Sequence, residues 1–390
     1  MHSIPTYAIR IILTSALFLL QYISTTAGAQ EIIMPESWRN AFYNISPLFH
    51  EDTVTIRIFG DVMMHSGQIE NARKEGNKYD FKSYFHLMED EIKEADIAVA
   101  NMEFTLAGEP YTGYPCFSAP DALAYHLADC GFDVFLTANN HIYDKGGSGA
   151  SRTLRIYRKL ETQYGIRFTG IAEDENEKIR NNPVIIRKKG IKVAFANFTY
   201  GTNQVIGSYW PRVNYIEDKT RIASMISKAE EEDADIVIAL PHWGTEYELK
   251  HSPSQEKVAE DLADQGFDMI IGSHPHVIQD TQTIGKTFVA YSLGNAVSNM
   301  SAPDTQLGLM ATIRIIRKHN GDIFTSGPEF TFLWCSRPGG FNESYTVIPV
   351  VEYIGRKSEW IGGWDHDKMM KTYERVRKTI GIEDKKIINE

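Results

Sequence analysis

The sequence predicts an α/β fold whose sheets are largely parallel with some antiparallel pairs, and two patterns support this prediction. Between residues 54 and 299, helical stretches ending in Ala-Asp or Gly-Phe-Asp lead repeatedly into short apolar, β-branched strands. Helices between strands indicate βαβ crossovers and parallel pairing. Elsewhere, short apolar segments flank glycine turns, which is typical of antiparallel hairpins. The sheets are therefore expected to be mixed.

The individual elements follow from these patterns in chain order. Core strands are predicted at residues 54–59, 97–100, 134–138, 236–240 and 269–271. Hairpins are predicted at residues 183–197 and 281–291. After residue 299 the pattern changes to strands at 309–316, 324–333 and 347–353 and a helix at 368–380. We expect residues 54–300 to form the main domain and residues 301–390 to complete its sheets.

Residues 1–29 are typical of a secretory signal peptide and not of the fold. A basic residue precedes an apolar run at 11–20, and the small residues that follow end in Ala27-Gly28-Ala29. This order predicts cleavage before Gln30. The alternative is an uncleaved anchor, which is disfavoured because the run is short for a membrane span. We expect a secreted or periplasmic protein with a short lead-in at residues 30–53.

Composition limits the partners and cross-links of the chain. A formal net charge of −11 disfavours nucleic acid as a partner. An anionic substrate must therefore be held by local positive charge, from a basic pocket or from a metal. The three cysteines, Cys116, Cys130 and Cys335, lack the CxxC spacing of zinc or redox sites. One disulfide could form outside the cytoplasm, and the sequence does not assign it.

The candidate metal ligands and catalytic residues come directly after the core strands. Each of the five strands is followed by Asp, Glu, Asn or His, namely Asp61, Glu103, Asn140 with His141, His242, and His274 with His276. In open α/β sheets, ligands bind at this carboxyl edge of the strands. Carboxylates mixed with imidazoles suit two divalent ions of the Mn, Fe or Zn kind, which would activate water against an anionic substrate.

Taken singly, several of these residues have an ordinary structural explanation. An Asp after a strand, such as Asp61, is often a turn former or helix cap, and a lone His242 is often a hydrogen-bonded core residue. The strongest local signal is His274-Pro275-His276, because i, i+2 spacing points both rings the same way if the backbone is extended. The combination after five strands favours a metal site.

These motifs resemble the CapA family, which is itself similar to calcineurin-like metallophosphoesterases. The matching segments are Gly60-Asp61-Val62-Met63, Asn101-Met102-Glu103, Ala138-Asn139-Asn140-His141, His242-Trp243-Gly244-Thr245-Glu246-Tyr247, Gly272-Ser273-His274-Pro275-His276 and Tyr291-Ser292-Leu293-Gly294-Asn295. The resemblance implies a four-layer α-β-β-α sandwich with mixed sheets. It also implies that Glu103 bridges two metals.

The resemblance further assigns roles to the remaining residues. Asp61 and His276 would bind the first metal, and the second would be bound by Asn140, His242 and His274. His141 would be the unbound acid. The sequence departs from the phosphoesterase pattern because Met63 replaces the His of Asp-x-His and Glu103 replaces Asp. Four more residues are expected near the site, with roles left open: His65 as ligand or pocket lining, Asp144 as supporting residue or cap, Glu246 as a partner of a histidine, and Asn295 as supporting residue or turn former.

Two functions follow from the resemblance. The first is metal-dependent hydrolysis of an anionic ester or amide in capsule or poly-γ-glutamate synthesis, acting on an anionic polymer or a phosphorylated substrate. The alternative is a non-catalytic factor that grips an anionic polymer through metal and passes it to capsule synthesis or export proteins.

Overall fold

The computed structural model describes residues 52–207, 209–318 and 320–384. The predicted signal peptide at 1–29, its cleavage site and nearly all of the lead-in at 30–53 lie outside these residues. Within the described ranges, no helix has both the length and the hydropathy needed to cross a membrane. The cysteines Cys116, Cys130 and Cys335 are all free thiols.

Eighteen strands and nine α-helices build the described chain. The strands are β1 (Asp52–Val62), β2 (Arg73–Lys74), β3 (Lys78–Tyr79), β4 (Ile97–Met102), β5 (Val134–Leu136), β6 (Arg167–Thr169), β7 (Ile171–Ala172), β8 (Val184–Lys188), β9 (Ile191–Thr199), β10 (Arg212–Val213), β11 (Ile236–His242), β12 (Met269–Ile271), β13 (Thr281–Ile284), β14 (Thr287–Ala290), β15 (Asn295–Val297), β16 (Leu307–Arg317), β17 (Ile323–Ser336) and β18 (Thr346–Pro349). The helices are α1 (Ser66–Ala72), α2 (Glu89–Glu94), α3 (Asp121–Cys130), α4 (Gly146–Tyr164), α5 (Glu175–Asn181), α6 (Lys219–Glu231), α7 (Pro253–Gln265), α8 (Val350–Tyr353) and α9 (Gly363–Ile380).

Two large mixed sheets form the centre of the fold. The first has the order β18-β17-β16-β1-β4-β5-β6, with β15 also paired to β1, and the second has the order β13-β14-β12-β11-β9-β8. The β1-β4-β5-β6 and β9-β11-β12-β14 runs are parallel, whereas β16, β17, β18, β8 and β13 pair antiparallel. Strands after residue 300 thus extend the first sheet.

Hydrophobic alternation along the strands stacks these sheets into four layers. On β9, Val193 and Phe195 join the core between the two sheets, while Ala194 and Ala196 face the opposite side. That opposite side is covered by α6 and α7, and the outer face of the first sheet packs against helices α1 to α4. The α-β-β-α sandwich with mixed sheets predicted from the sequence is confirmed.

The aspartates that recur before the strands accept hydrogen bonds from the backbone of the neighbouring strand. The carboxylates of Asp96 and Asp133 accept hydrogen bonds from the backbone N–H groups of the neighbouring strand at 2.9 and 2.8 Å. Asp235 and Asp268 make the same contact in the second sheet, at 2.7 and 2.9 Å. Each aspartate satisfies a donor at the start of a parallel pair, which explains the repeat in the sequence.

Two elements after residue 340 differ from the prediction. The strand expected at 347–353 ends at Pro349, and α8 follows. Proline has no N–H for the ladder and its fixed φ suits a helix start, so the apolar run changes structure there. The terminal helix begins at Gly363, five residues before the predicted start at 368. Its first turn carries Asp365, which is buried and accepts a hydrogen bond from Ser336 Oγ at 2.6 Å.

One buried amide joins the two sheets below the carboxyl edge. Asn197 on β9 accepts hydrogen bonds from the backbone N–H groups of Thr137 and Ala138, at 2.9 and 2.6 Å, and donates to the carbonyl of Leu240 at 2.8 Å. Gly170 permits this approach, because a Cβ there would lie 2.2 Å from the Asn197 oxygen. The segment after β5 is thereby fixed against the second sheet.

We predict that Asn197→Ala lowers the free energy of unfolding by about 2–3 kcal/mol, because it removes three buried hydrogen bonds and leaves the Ala138 N–H without a partner among the described residues. Urea denaturation measures this change. Asn176→Ala, at an exposed position on α5, is the control and should stay within about 0.5 kcal/mol of the parent. Equal stability of the two variants would contradict the bridging role.

Candidate metal centre

The carboxyl ends of the two parallel runs meet and bring the predicted residues together. Asp61 lies near the end of β1, where the backbone of Gly60 passes so close to Gly294 that a Cβ would lie 1.9 Å from its carbonyl oxygen. Glu103 directly follows β4, and His242 ends β11. The remaining members follow β5 and β12; they are Asn140, His141, His274 and His276. All seven side chains are buried.

Glu103 lies at the centre of this cluster. Its Oε1 atom is 3.6 Å from Nε2 of His242, 3.7 Å from Nε2 of His276 and 3.9 Å from Nε2 of His141. Neither carboxylate oxygen has a hydrogen-bond partner among the described residues. Three imidazole nitrogens therefore surround an acceptor that no N–H or O–H group of the described chain satisfies.

The candidate ligand atoms form overlapping groups. One group is Asp61, Glu103 and His276, and a second is Glu103, His242 and His274; in each, the ligand atoms lie within 4.8 Å of one another. Glu103 is common to both groups. Asn140 Oδ1 lies 2.9 Å from His242 Nε2, beside the second group. These residues could hold metal ions.

His141 lies outside these groups and is held by an acid. Its Nδ1 lies 2.7 Å from Asp144 Oδ2, and the same carboxylate oxygen accepts a hydrogen bond from the backbone N–H of Phe117 at 2.7 Å. The explanation of Asp144 as a cap is wrong, because the N-cap of α4 is Lys145 and no side chain caps it. Asp144 orients the imidazole of His141.

The backbone around the two neighbouring histidines is not extended, contrary to the expectation. His274 and His276 have φ of 101° and 60°, both in the left-handed region. The turn is anchored by the His274 N–H, which donates to Asp61 Oδ2 at 3.2 Å, and by Tyr247 N–H, which donates to the carbonyl of Pro275 at 2.9 Å. The turn, and not strand alternation, brings both rings into the cluster, with centroids 5.8 Å apart.

The residues expected nearby occupy different positions. Asn295 is buried, and its Oδ1 lies 3.1 Å from His276 Nδ1, so it orients that ring. Glu246 is exposed and forms a further group of potential ligand atoms with His274 and His276. His65 belongs to none of these groups; its Nδ1 contacts Gln68, and burial lowers its pKa to about 4.

A cavity of about 280 Å³ opens over the cluster, and we call it the site cavity. The segment at 114–116 forms one wall, and Asn203 with Gln204 forms another. Asn140, His141, Asp144 and Glu246 also line it. No Lys or Arg is among the described residues that line this cavity, so positive charge here would have to come from metal.

A family comparison identifies the chain. The family model described as bacterial capsule synthesis protein PGA_cap matches residues 55–300. The chain belongs to this family. The family predicted from the motifs is thereby confirmed.

Two curated relatives of this PGA_cap chain come from bacilli. The capsule biosynthesis protein CapA of Bacillus anthracis is 28% identical over 284 residues, covering 68% of this chain and 65% of the relative. The PGA biosynthesis protein CapA of Bacillus subtilis (strain 168) is 29% identical over 261 residues, covering 64% of each. The match therefore spans slightly less than two thirds of the relatives' own length.

Solved structures with similarity to the chain include a nucleotidase and a calcineurin-like phosphoesterase. The NAD nucleotidase NadN of Haemophilus influenzae has a TM-score of 0.46 and 13% identity, covering 87% of this chain and 65% of that one. The calcineurin-like phosphoesterase YfkN of Bacillus subtilis has a TM-score of 0.44 and 14% identity, covering 85% of this chain and 100% of that one.

The electrostatics of the PGA_cap cluster fit a cation. Burial, and then the charge of Asp61, raises the pKa of Glu103 well above its ordinary value. Burial, and then the neighbouring imidazoles, lowers the pKa values of His242 and His274 well below theirs. Neutral imidazoles are metal ligands, and among the described residues every ion-pair partner of Asp61 and Glu103 is a histidine.

Sequence reasoning assigned no role to Asn101 and Ser273, although both lie in the quoted motifs. Asn101 is buried and donates from Nδ2 to Asp61 Oδ1 at 2.7 Å, and this nitrogen lies 3.2 Å from His242 Nδ1. Ser273 Oγ lies 3.1 Å from the same imidazole nitrogen. Both contacts leave Nε2 of His242 directed at Glu103. The i, i+2 spacing of Asn101, near the end of β4, and Glu103, directly after it, is the signal that could have indicated Asn101.

We predict that Mn²⁺ stabilises the parent protein by about 2.7 kcal/mol at a free concentration about 100 times its Kd, and that Glu103→Gln loses most of this gain. Without metal, the variant should be no less stable than the parent, because the unpartnered buried carboxylate is removed. Thermal unfolding with and without Mn²⁺ measures both effects.

The matched control for this experiment is Glu248→Gln, at an exposed acid after β11, which should keep the full metal-dependent gain. A Glu103 variant that is stabilised by Mn²⁺ as much as this control would exclude Glu103 as a ligand.

Proposed function

We propose that the chain is a metal-dependent hydrolase of capsule synthesis that cleaves an anionic ester or amide. The observation that carries this proposal is the shared carboxylate of Glu103, which belongs to two groups of potential ligands while His141 stands outside both. Such an arrangement separates the residues that hold cations from a residue free to transfer a proton.

Two divalent ions of the Mn, Fe or Zn kind fit these donors. Asp61, Glu103 and His276 would hold the first, and Glu103 with Asn140, His242 and His274 would hold the second. When bound, such ions polarise a phosphoryl or carbonyl oxygen and lower the pKa of a water molecule. Asn101 and Asn295 keep the ring nitrogens oriented.

His141 would protonate the leaving oxygen or nitrogen. Its Nδ1 faces Asp144, which stabilises the protonated ring and leaves Nε2 directed at the cluster, 3.9 Å from Glu103 Oε1. The ring is also held by Phe117, whose centroid lies 4.6 Å away in an edge-to-face contact. These contacts fix the ring, so Nε2 is the atom that would transfer the proton.

The substrate we propose is an anionic polymer or a phosphorylated compound encountered outside the cytoplasm. The names of the relatives support this, since they are described as capsule biosynthesis and PGA biosynthesis proteins. The signal-like residues 1–29 support export by a cleavable leader, in either a secreted or a periplasmic form. Capsule synthesis or export proteins are the proposed partners, and nucleic acid is not.

A second candidate function is metal-assisted binding of the polymer without cleavage. Met63 favours it, because this side chain is buried in the core at the position where the phosphoesterase pattern has a ligating histidine. The first group of ligands is thus smaller than the pattern implies, which would weaken the first metal and with it the chemistry.

We predict that His141→Ala retains bound metal and loses about 10²–10⁴-fold in kcat, because only the proton donor is removed. Turnover of a simple phosphodiester and of poly-γ-glutamate by Mn²⁺-loaded protein measures the loss, with metal content measured in parallel. His86→Ala, at an exposed position, is the control and should keep full activity.

If the parent protein binds Mn²⁺ and polymer but turns over neither substrate, the hydrolase proposal is wrong and the binding function replaces it. If His141→Ala retains full turnover, the assigned acid is wrong.

A further inference from the structure

A second cavity, of about 320 Å³, lies beside the site cavity and has the opposite charge character. We call it the basic cavity. Its walls come from the loop at 107–110, from Ser118 and from the first turns of α4, which contribute Lys145, Ser148, Gly149, Arg152 and Arg155. Three cations and one acid, Glu109, therefore line it, in a chain whose formal net charge is −11.

Two of these cations have no acidic partner in the part of the chain that the structure describes. Arg152 is neutralised by a bidentate ion pair with Asp121, at 2.7 and 2.9 Å. Lys145 and Arg155, in contrast, make no side-chain hydrogen bond or ion pair with any described residue, and Arg155 is exposed. Arg152 thus serves as part of a fixed wall, while Lys145 and Arg155 remain available to a ligand.

The two cavities share structural parts. The loop at 107–118 contributes its first residues to the basic cavity and residues 114–116 to the site cavity. On the other side, Asp144 lines the site cavity and the next residue, Lys145, lines the basic cavity. Lys145, which has no ion-pair partner among the described residues, therefore directly follows Asp144, the residue that orients His141. A substrate bound at the metal centre would extend toward this cation.

We infer that the basic cavity binds an anionic group of the substrate that is remote from the bond at the metal centre. This inference rests on the proposed function and narrows its substrate to a chain with at least two anionic groups. No Lys or Arg is among the described residues that line the site cavity, whereas Lys145 and Arg155 line the basic cavity and would stabilise a second carboxylate or phosphate of the substrate. A substrate with a single anionic group at the metal centre would have no second group to bind these two cations.

The test is a charge reversal, Lys145→Glu with Arg155→Glu, measured by calorimetric binding to metal-stripped full-length protein. The probes are a γ-linked glutamate oligomer, an inorganic polyphosphate of similar length and monomeric glutamate. The control is Arg187→Glu with Lys286→Glu, which makes the same change in net charge at exposed positions on the second sheet.

We expect the parent and the control to bind one of the polyanions, and the reversal to weaken that binding by about tenfold or more, because like charges then face the ligand. Monomeric glutamate should bind weakly to all three proteins. The preferred probe distinguishes a carboxylate from a phosphate ligand. Unchanged melting temperatures would establish that the reversal folds.

The inference is overturned if the parent binds neither polyanion, if the reversal binds as tightly as the parent, or if the control loses as much affinity as the reversal. Because metal is absent and no turnover is measured, these outcomes are independent of whether the hydrolase proposal holds. If the parent binds a polyanion in this assay but the Mn²⁺-loaded parent turns over neither substrate, only the proposed function is rejected.

Discussion

The structure depends on one buried carboxylate that the described chain leaves without a hydrogen-bond partner. Glu103 has no exposed surface, and the groups around it are another carboxylate, Asp61, and the imidazoles of His141, His242 and His276. Burial raises the pKa of such a group because its charged form is costly away from water, and a bound cation would stabilise the carboxylate form that serves as a ligand. The two sheets supply the surrounding ligands, because Glu103 comes from the first and His242 from the second.

The surrounding structure fixes those ligands through amides and hydroxyls. Asn197 ties the segment after β5 to the second sheet, Asn101 connects Asp61 with His242, and Asn295 orients His276. These side chains carry no charge, so they hold the ligands in place without competing with them for a cation. The site is therefore rigid and still electrostatically unsatisfied, which is the combination that favours tight metal binding.

Much of this could be predicted from the sequence, because hydrophobic periodicity and turn residues are local signals. The core strands, both hairpins and the polar residues after each strand were found in this way. The turn at His274 and His276 could not be, since its left-handed backbone is stabilised by Asp61, more than two hundred residues away. The helix after Pro349 was missed although the proline itself is a local signal, and the role of Asp144 stayed open between a supporting residue and a cap although its partner, His141, is only three residues away.

The net charge of the chain does not show where its positive charges lie. A net charge of −11 disfavours polyanions, yet one face combines a cluster suited to cations with Lys145 and Arg155 beside it. Local positive charge in an acidic protein favours a ligand whose anionic group reaches these two cations over anions that do not.

Anomalous diffraction from crystals grown with Mn²⁺ tests the central claim most directly. The account predicts two anomalous peaks on either side of the Glu103 carboxylate, one near Asp61 and His276 and the other near His242 and His274. Absence of both peaks, or metal bound elsewhere with none at the Glu103 carboxylate, would contradict it.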